Sequence, residues 1–278
     1  MICIQLLTAK NGFDNGGISG VCKWAQEPAE VEFELSVLER LAKRYQDRTA
    51  LYGIEVLNEP ATEKMFKSMT TRFLPRDPSK AAGSAAITFE FLYDFYRRAY
   101  QRLRPILPSD KVIMFHDGFD LSKWHAFFTE NDFENVVLDT HQYLMTAEME
   151  GTELNPIAYE KTMNKIGDQI AEVNKYVPVF VGEWTLFNSY TAGINTQGGI
   201  NPTQQEFKGA KHLDPAELAK VYQKLWRIQV ANWNRGIGYT FWTWKLNIDT
   251  INEPAWYGWD SWAASRALDR HWIDPKDI

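Results

Sequence analysis

Cysteine is nearly absent from this chain: 278 residues hold two, Cys3 and Cys22. A disulfide framework is therefore excluded. Neither residue sits at a metal-binding or redox spacing, so both are read as reduced, buried thiols. No run of about 18 apolar residues occurs, which excludes a membrane-spanning helix. Basic charge is in deficit, with 30 Lys and Arg against 36 Asp and Glu, a net charge of -6 and a pI near 5.5. That balance argues against nucleic acid and anionic membrane as partners. Motifs are missing too. Without H-x-x-H, H-E-x-x-H or an acidic EF-hand loop, no metal is expected. Without G-x-G-x-x-G or a P-loop, no nucleotide cofactor is expected. The lack of G-x-S-x-G argues against an α/β-hydrolase. The opening stretch, Met1 to Ala9, is apolar but short and has no basic flank. It reads as a strand rather than a signal peptide, and a cytoplasmic location is the expectation that follows.

What is present is apolar and aromatic. The chain is 45% hydrophobic and 14% aromatic, with 11 Trp. At this length it suffices for one α/β barrel with a substantial core. An indole is awkward to bury because its N–H needs an acceptor. Core packing accounts for about half of the tryptophans. The remainder suit the flat apolar faces of sugar rings.

Short β-branched runs alternate with long helical patterns. The runs are Ile2–Leu7, Tyr52–Leu57, Val112–His116, Val136–His141, Val179–Gly182 and Gly238–Thr243. Apolar residues between them recur at helical spacing. One set is Val31, Leu35, Leu38, Ala42 and Tyr45; another is Phe89, Leu92, Tyr96, Ala99 and Leu103. Tyr159, Met163, Ile166, Ile170 and Val173 form a third, and Leu218, Val221, Leu225 and Ile228 a fourth. Asp214-Pro215 and Asn155-Pro156 read as caps followed by proline in the first turn. Alternation of this kind predicts a parallel sheet, and the nearly continuous apolar character of the runs predicts burial on both faces. No repeat or linker interrupts the chain, so residues 1–278 are read as a single domain. Long loops are expected over 58–87, 142–155 and 183–213. All three follow the C-terminal ends of strands, where α/β barrels carry their chemistry.

Two glutamates close two of the strand runs. Glu59 stands in Leu57-Asn58-Glu59-Pro60 and Glu183 in Val181-Gly182-Glu183-Trp184. A facing pair of carboxyl groups can cleave a glycosidic bond. Asn58 can hold a sugar hydroxyl beside its acid, and the following proline restricts the backbone of Glu59. An attacking carboxylate beside Trp184 needs donors to stay ionised. His141 and Tyr143 alternate at the end of a strand and can supply them. His116-Asp117 ends another strand, where a structural hydrogen bond beneath the site is at least as good a reading. Trp242 and Trp244 share one face of the last run by alternation. One of the two is expected in the core, the other under a sugar ring.

Together these pieces resemble glycoside hydrolase family five, in its exo-β-1,3-glucanase-like branch. The matching segments are Asn11-Gly-Phe-Asp-Asn15, Gly53-Ile-Glu-Val-Leu-Asn-Glu-Pro60, His116-Asp117, His141-Gln-Tyr143, Gly182-Glu-Trp184 and Phe241-Trp-Thr-Trp-Lys245. The resemblance implies a (β/α)8 TIM barrel and a retaining, double-displacement reaction on β-glucosidic bonds. It casts Glu59 as acid/base and Glu183 as nucleophile, with carboxyl groups about 5–5.5 Å apart. Asn58 would bind the sugar 2-hydroxyl, and His141 and Tyr143 would surround the nucleophile and sugar. Trp242 would floor the first subsite, with Phe13 and Asp14 bordering it. The substrate class implied is an oligosaccharide or β-glucoside. The pattern departs from the family at its start. Two strands and an arginine of the family have no counterpart here, and Ile4–Ala9 lacks the family's histidine. The expectation is an incomplete barrel, with six of eight βα units visible and the first two missing. An open sheet edge would favour association between copies. The alternative function is a non-catalytic, carbohydrate-binding remnant of such an enzyme.

Overall fold

The computed structural model describes residues 2–5, 20–72, 75, 77–192, 213–247, 259–274 and 276. Six strands are present among them: β1 (Ile2–Gln5), β2 (Leu51–Glu55), β3 (Val112–His116), β4 (Val136–His141), β5 (Val179–Glu183) and β6 (Gly238–Tyr239). Their order in the sheet follows the chain, β1 to β6. The pairs β1–β2, β2–β3, β3–β4 and β5–β6 are all parallel. Helices fill the crossovers, as parallel neighbours require. This is the arrangement of a partial (β/α)8 TIM barrel.

Two compact units divide the chain. One comprises residues 1–140 with 175–179, the other 141–174 with 180–278. In the first unit, β3 and the unit's share of β4 are buried at every position, the pattern of a sheet covered on both faces. Gly53 lets β2 approach β3, because a Cβ there would lie 2.5 Å from the Val112 carbonyl oxygen. Helix α1 (Pro28–Tyr45) has proline in its first turn, Glu30 at its positive end and Lys43 and Arg44 at its negative end. It buries Val31, Leu35, Leu38 and Ala42 of the stripe its sequence predicts, while Tyr45 is half-buried. The long helix of the next crossover, Phe89–Leu103, likewise buries Leu92, Tyr96, Ala99 and Leu103.

The second unit is built around two long helices, Pro156–Val173 and Pro215–Trp233, which pack together. Asn155 caps the first by accepting from Ile157 N and Ala158 N. Asp214 caps the second by accepting from Ala216 N and Glu217 N. The buried face of Pro215–Trp233 differs from expectation. It carries Tyr222, Leu225, Trp226, Gln229, Asn232 and Trp233, so only Leu225 of the predicted stripe is buried. The amide nitrogens of the polar residues on this face find acceptors. Gln229 Nε2 donates to the Thr185 carbonyl, and Asn232 Nδ2 donates to Asn164 Oδ1.

Further expectations are corrected. The stretch 58–87 is not a plain loop but holds helices Glu63–Arg72 and Pro78–Ala81. The stretch 142–155 holds Leu144–Met149, and 183–213 holds Ser189–Ala192. Short polar and apolar mixtures gave too little period to reveal them. The last strand ends at Tyr239, so alternation does not apply to Trp242 and Trp244. Both indoles are exposed, 41% and 65%, and neither is in the core.

Candidate active site

In the first unit the chain leaves β2 through Val56, Leu57 and Asn58, all buried. Val56 N donates to the Met114 carbonyl, which keeps this run beside β3 beyond the strand proper. Glu59 follows, half-buried, with φ of 41°. The proline after it disfavours the right-handed helical region, and the backbone enters the left-handed one. A non-glycine residue held there is strained, and such strain gathers at functional sites. The next turn is anchored: Thr62 Oγ1 donates to the Gly118 carbonyl at 2.6 Å, and Ile87 N to the Ala61 carbonyl.

His116 and Asp117 occupy the end of β3 and are fully buried. His116 Nδ1 accepts from Gly118 N at 3.0 Å, which leaves the ring proton on Nε2 and the imidazole neutral. Its 3.5 Å approach to Asp117 Oδ1 is therefore not an ion pair. Asp117 instead accepts from Phe119 N and from Thr140 Oγ1 at 2.7 Å. A Glu59 carboxylate oxygen and a His116 ring nitrogen lie within 4.8 Å of each other. Asp117 is thus structural, as its position suggests, while His116 stands near the acid.

In the second unit Glu183 is the last residue of β5 and is 8% exposed. Tyr143 OH donates to Glu183 Oε2 in a short hydrogen bond. His141 Nδ1 stands 3.6 Å from the same oxygen. The backbones are locked as well, with Gln142 N donating to the Glu183 carbonyl at 2.8 Å. So His141 and Tyr143 flank the carboxylate as expected. Trp184 points the other way, fully buried among Trp226, Trp233, Tyr239 and Phe241. Trp242 N donates to the Trp184 carbonyl, so the exposed Trp242 begins next to the strand end that carries Glu183. Phe13 and Asp14 lie outside the described residues.

Sequence reasoning missed several residues that pack around Tyr143 and the segment after Glu183. The Tyr143 ring packs 5.3 Å from Trp262, which contacts Phe187 and Trp259. The segment 259–262 follows no strand-type run in the sequence and shows no apolar period. Its only signal is two tryptophans three residues apart, the spacing that aligns side chains on a 3₁₀ turn. Glu148 was also missed. It is fully buried, accepts from Tyr159 OH and from Ser189 N and Oγ, and so pins the segment that follows Glu183.

Parallel βα units with carboxylates at the strand ends are the layout of a sugar-cleaving barrel. The family profile of cellulase (glycosyl hydrolase family 5) matches residues 23–248. The chain belongs to glycosyl hydrolase family 5. A glucan 1,3-beta-glucosidase of Blumeria graminis is 26% identical over 269 residues, covering 90% of this chain and 55% of that protein. Glucan 1,3-beta-glucosidase I/II of Saccharomyces cerevisiae is 31% identical over 144 residues, 50% of this chain and 27% of that one. The chain spans about half the length of the curated relatives it matches. Among solved structures, that of AoRut aligns with a TM-score of 0.66 at 16% identity, covering 100% of this chain and 67% of that one. Cel5A of Thermotoga maritima, in complex with cellobiose, aligns at 0.51 with 15% identity, covering 90% and 69%. These two likenesses establish the fold.

Proposed function

We propose that this chain carries the catalytic machinery of a retaining β-glucosidase acting on β-1,3-glucans or related β-glucosides, within a single domain. The observation that supports it best is the setting of Glu183. This carboxylate is nearly buried, yet it receives a tyrosine hydroxyl and lies beside a histidine, which offsets the cost of burial. A nucleophilic carboxylate needs that setting to stay ionised while facing a sugar. The names of the glucan 1,3-beta-glucosidase relatives point to the same substrate class.

In the reaction proposed, a Glu183 oxygen attacks the anomeric carbon as the glycosidic C–O bond breaks. Glu59 gives its proton to the departing oxygen. Glu59 then takes a proton from water, whose oxygen attacks the same carbon and releases Glu183. Two displacements return the original anomeric configuration. Asn58 holds the sugar 2-hydroxyl, and Trp242 offers its exposed face to the ring.

Replacing Glu183 by Ala tests the reading. With an activated aryl β-glucoside, turnover is expected to fall by about a thousandfold or more. Added azide is expected to restore part of it by forming the α-glucosyl azide. Unchanged turnover would remove Glu183 from the nucleophile role. Wild-type protein that binds laminari-oligosaccharides without turning over any glucoside would favour the non-catalytic alternative instead.

A further inference from the structure

We propose that Trp259 and Trp262, backed by the buried Phe187, form a second sugar platform near Glu183, which binds the β-linked glucosyl unit next to the one under attack. The proposal rests on the glycosidase reading above and adds a determinant of chain-length preference.

The rings form one continuous path. Tyr143, whose hydroxyl reaches Glu183, packs on Trp262 with centroids 5.3 Å apart. Trp262 stacks on Trp259 at 5.5 Å and 19°. Phe187 closes against both, at 5.6 Å and 5.8 Å. Trp262 is thus one ring away from the nucleophile's partner, and Trp259 two.

The path is held rigidly. Asp260 is buried between the two tryptophans in sequence. It accepts from Arg266 Nη1 at 2.8 Å and pairs with Arg270. Leu186 N donates to the Ser261 carbonyl, and Thr243 N donates to the Trp262 carbonyl at 2.7 Å. These bonds join the turn both to the segment after Glu183 and to the segment bearing Trp242. The platform is therefore ordered before any sugar arrives, which lowers the entropy cost of binding.

Core packing alone does not account for the pair. Trp184 and Trp233 in the same unit have no exposed surface, whereas Trp259 and Trp262 are half-buried. Rigid, part-open indoles beside a sugar-attacking carboxylate suit the apolar face of a pyranose.

Trp259→Ala and Trp259→Phe test this, because Trp259 is separated from Tyr143 by Trp262. Two substrates are compared: β-glucosyl fluoride, which has one sugar and no aglycone ring, and laminaritriose. For Trp259→Ala, kcat/KM on laminaritriose relative to that on the fluoride is expected to fall about tenfold, mostly through KM. Trp259→Phe is expected to restore most of the ratio. An unchanged ratio, whether both rates fall together or neither does, would overturn the platform. If wild-type protein cleaves neither substrate, the glycosidase reading fails instead. Calorimetric titration with laminaritriose then decides the platform: weaker binding by Trp259→Ala supports it, and equal binding overturns it.

Discussion

Tyr143 is the side chain most closely coupled to the Glu183 carboxylate. A hydroxyl donating to an anion in a nearly buried place is worth more than the same bond in water. Tyr143→Phe removes only that donor and leaves the ring on Trp262. Its kcat on an aryl β-glucoside is expected to fall about tenfold to a hundredfold; wild-type kcat would mean the bond is idle in catalysis. Glu34 offers a different test. Both of its oxygens are buried without a hydrogen-bond partner among the described residues. Burial pushes its carboxyl up to about 8, from the usual value of about 4.3. The folded chain therefore keeps a proton that the unfolded chain releases. Stability is expected to fall by up to about 1.4 kcal/mol per pH unit between those two values and to level off above them. Urea unfolding at pH 5 and pH 8 reads this directly. Glu34→Gln should shrink the difference between the two pH values, and an unaltered difference would contradict it. Residues at or just beyond a strand end within a motif, such as Glu183, Glu59 and Tyr143, were legible in the sequence. Trp262, Asp260 and Glu148 were not, because long-range hydrogen bonds rather than local pattern bring them to the site.

Helices show the same division. The stripes of Pro28–Tyr45 and Phe89–Leu103 could be read because their buried faces are mainly apolar. That of Pro215–Trp233 could not, since Gln229 and Asn232 are buried on it and their amide nitrogens donate to partners 44 and 68 residues away. Strands Val112–His116 and Val136–His141 match their predicted bounds residue for residue. The last strand is shorter than its apolar run, because the chain beyond Tyr239 bonds to Trp184 and Trp262 outside the ladder. Gly167 sits where the two long helices of the second unit touch. A Cβ there would meet Asn232 at 2.0 Å from Oδ1 and 2.9 Å from Cβ. Gly167→Ala is therefore expected to destabilise by about 1–3 kcal/mol through overpacking, seen as a lower urea midpoint; a midpoint at or above the wild-type value would show that the helices can part without cost. Loss of the Asp214 cap in Asp214→Ala is expected to cost about 1 kcal/mol. A thermal midpoint equal to wild type would show that water replaces the cap.

Family membership, the parallel strand pairs and the carboxylates at or just beyond strand ends all bear on one question, which is whether a glucosyl group is passed to Glu183. Parallel order was legible from strand–helix alternation, since crossover geometry leaves few other options. Substrate reach was not, because it depends on side chains that converge from segments far apart in the chain. The most direct measurement is to trap the intermediate. Protein is incubated with 2-deoxy-2-fluoro-β-glucosyl fluoride, whose electron-poor ring slows the second displacement, then digested and examined by mass spectrometry. One fluoroglucosyl group on the peptide that contains Glu183 is the expected result. No adduct after prolonged incubation, or an adduct on any other residue, would contradict the assignment.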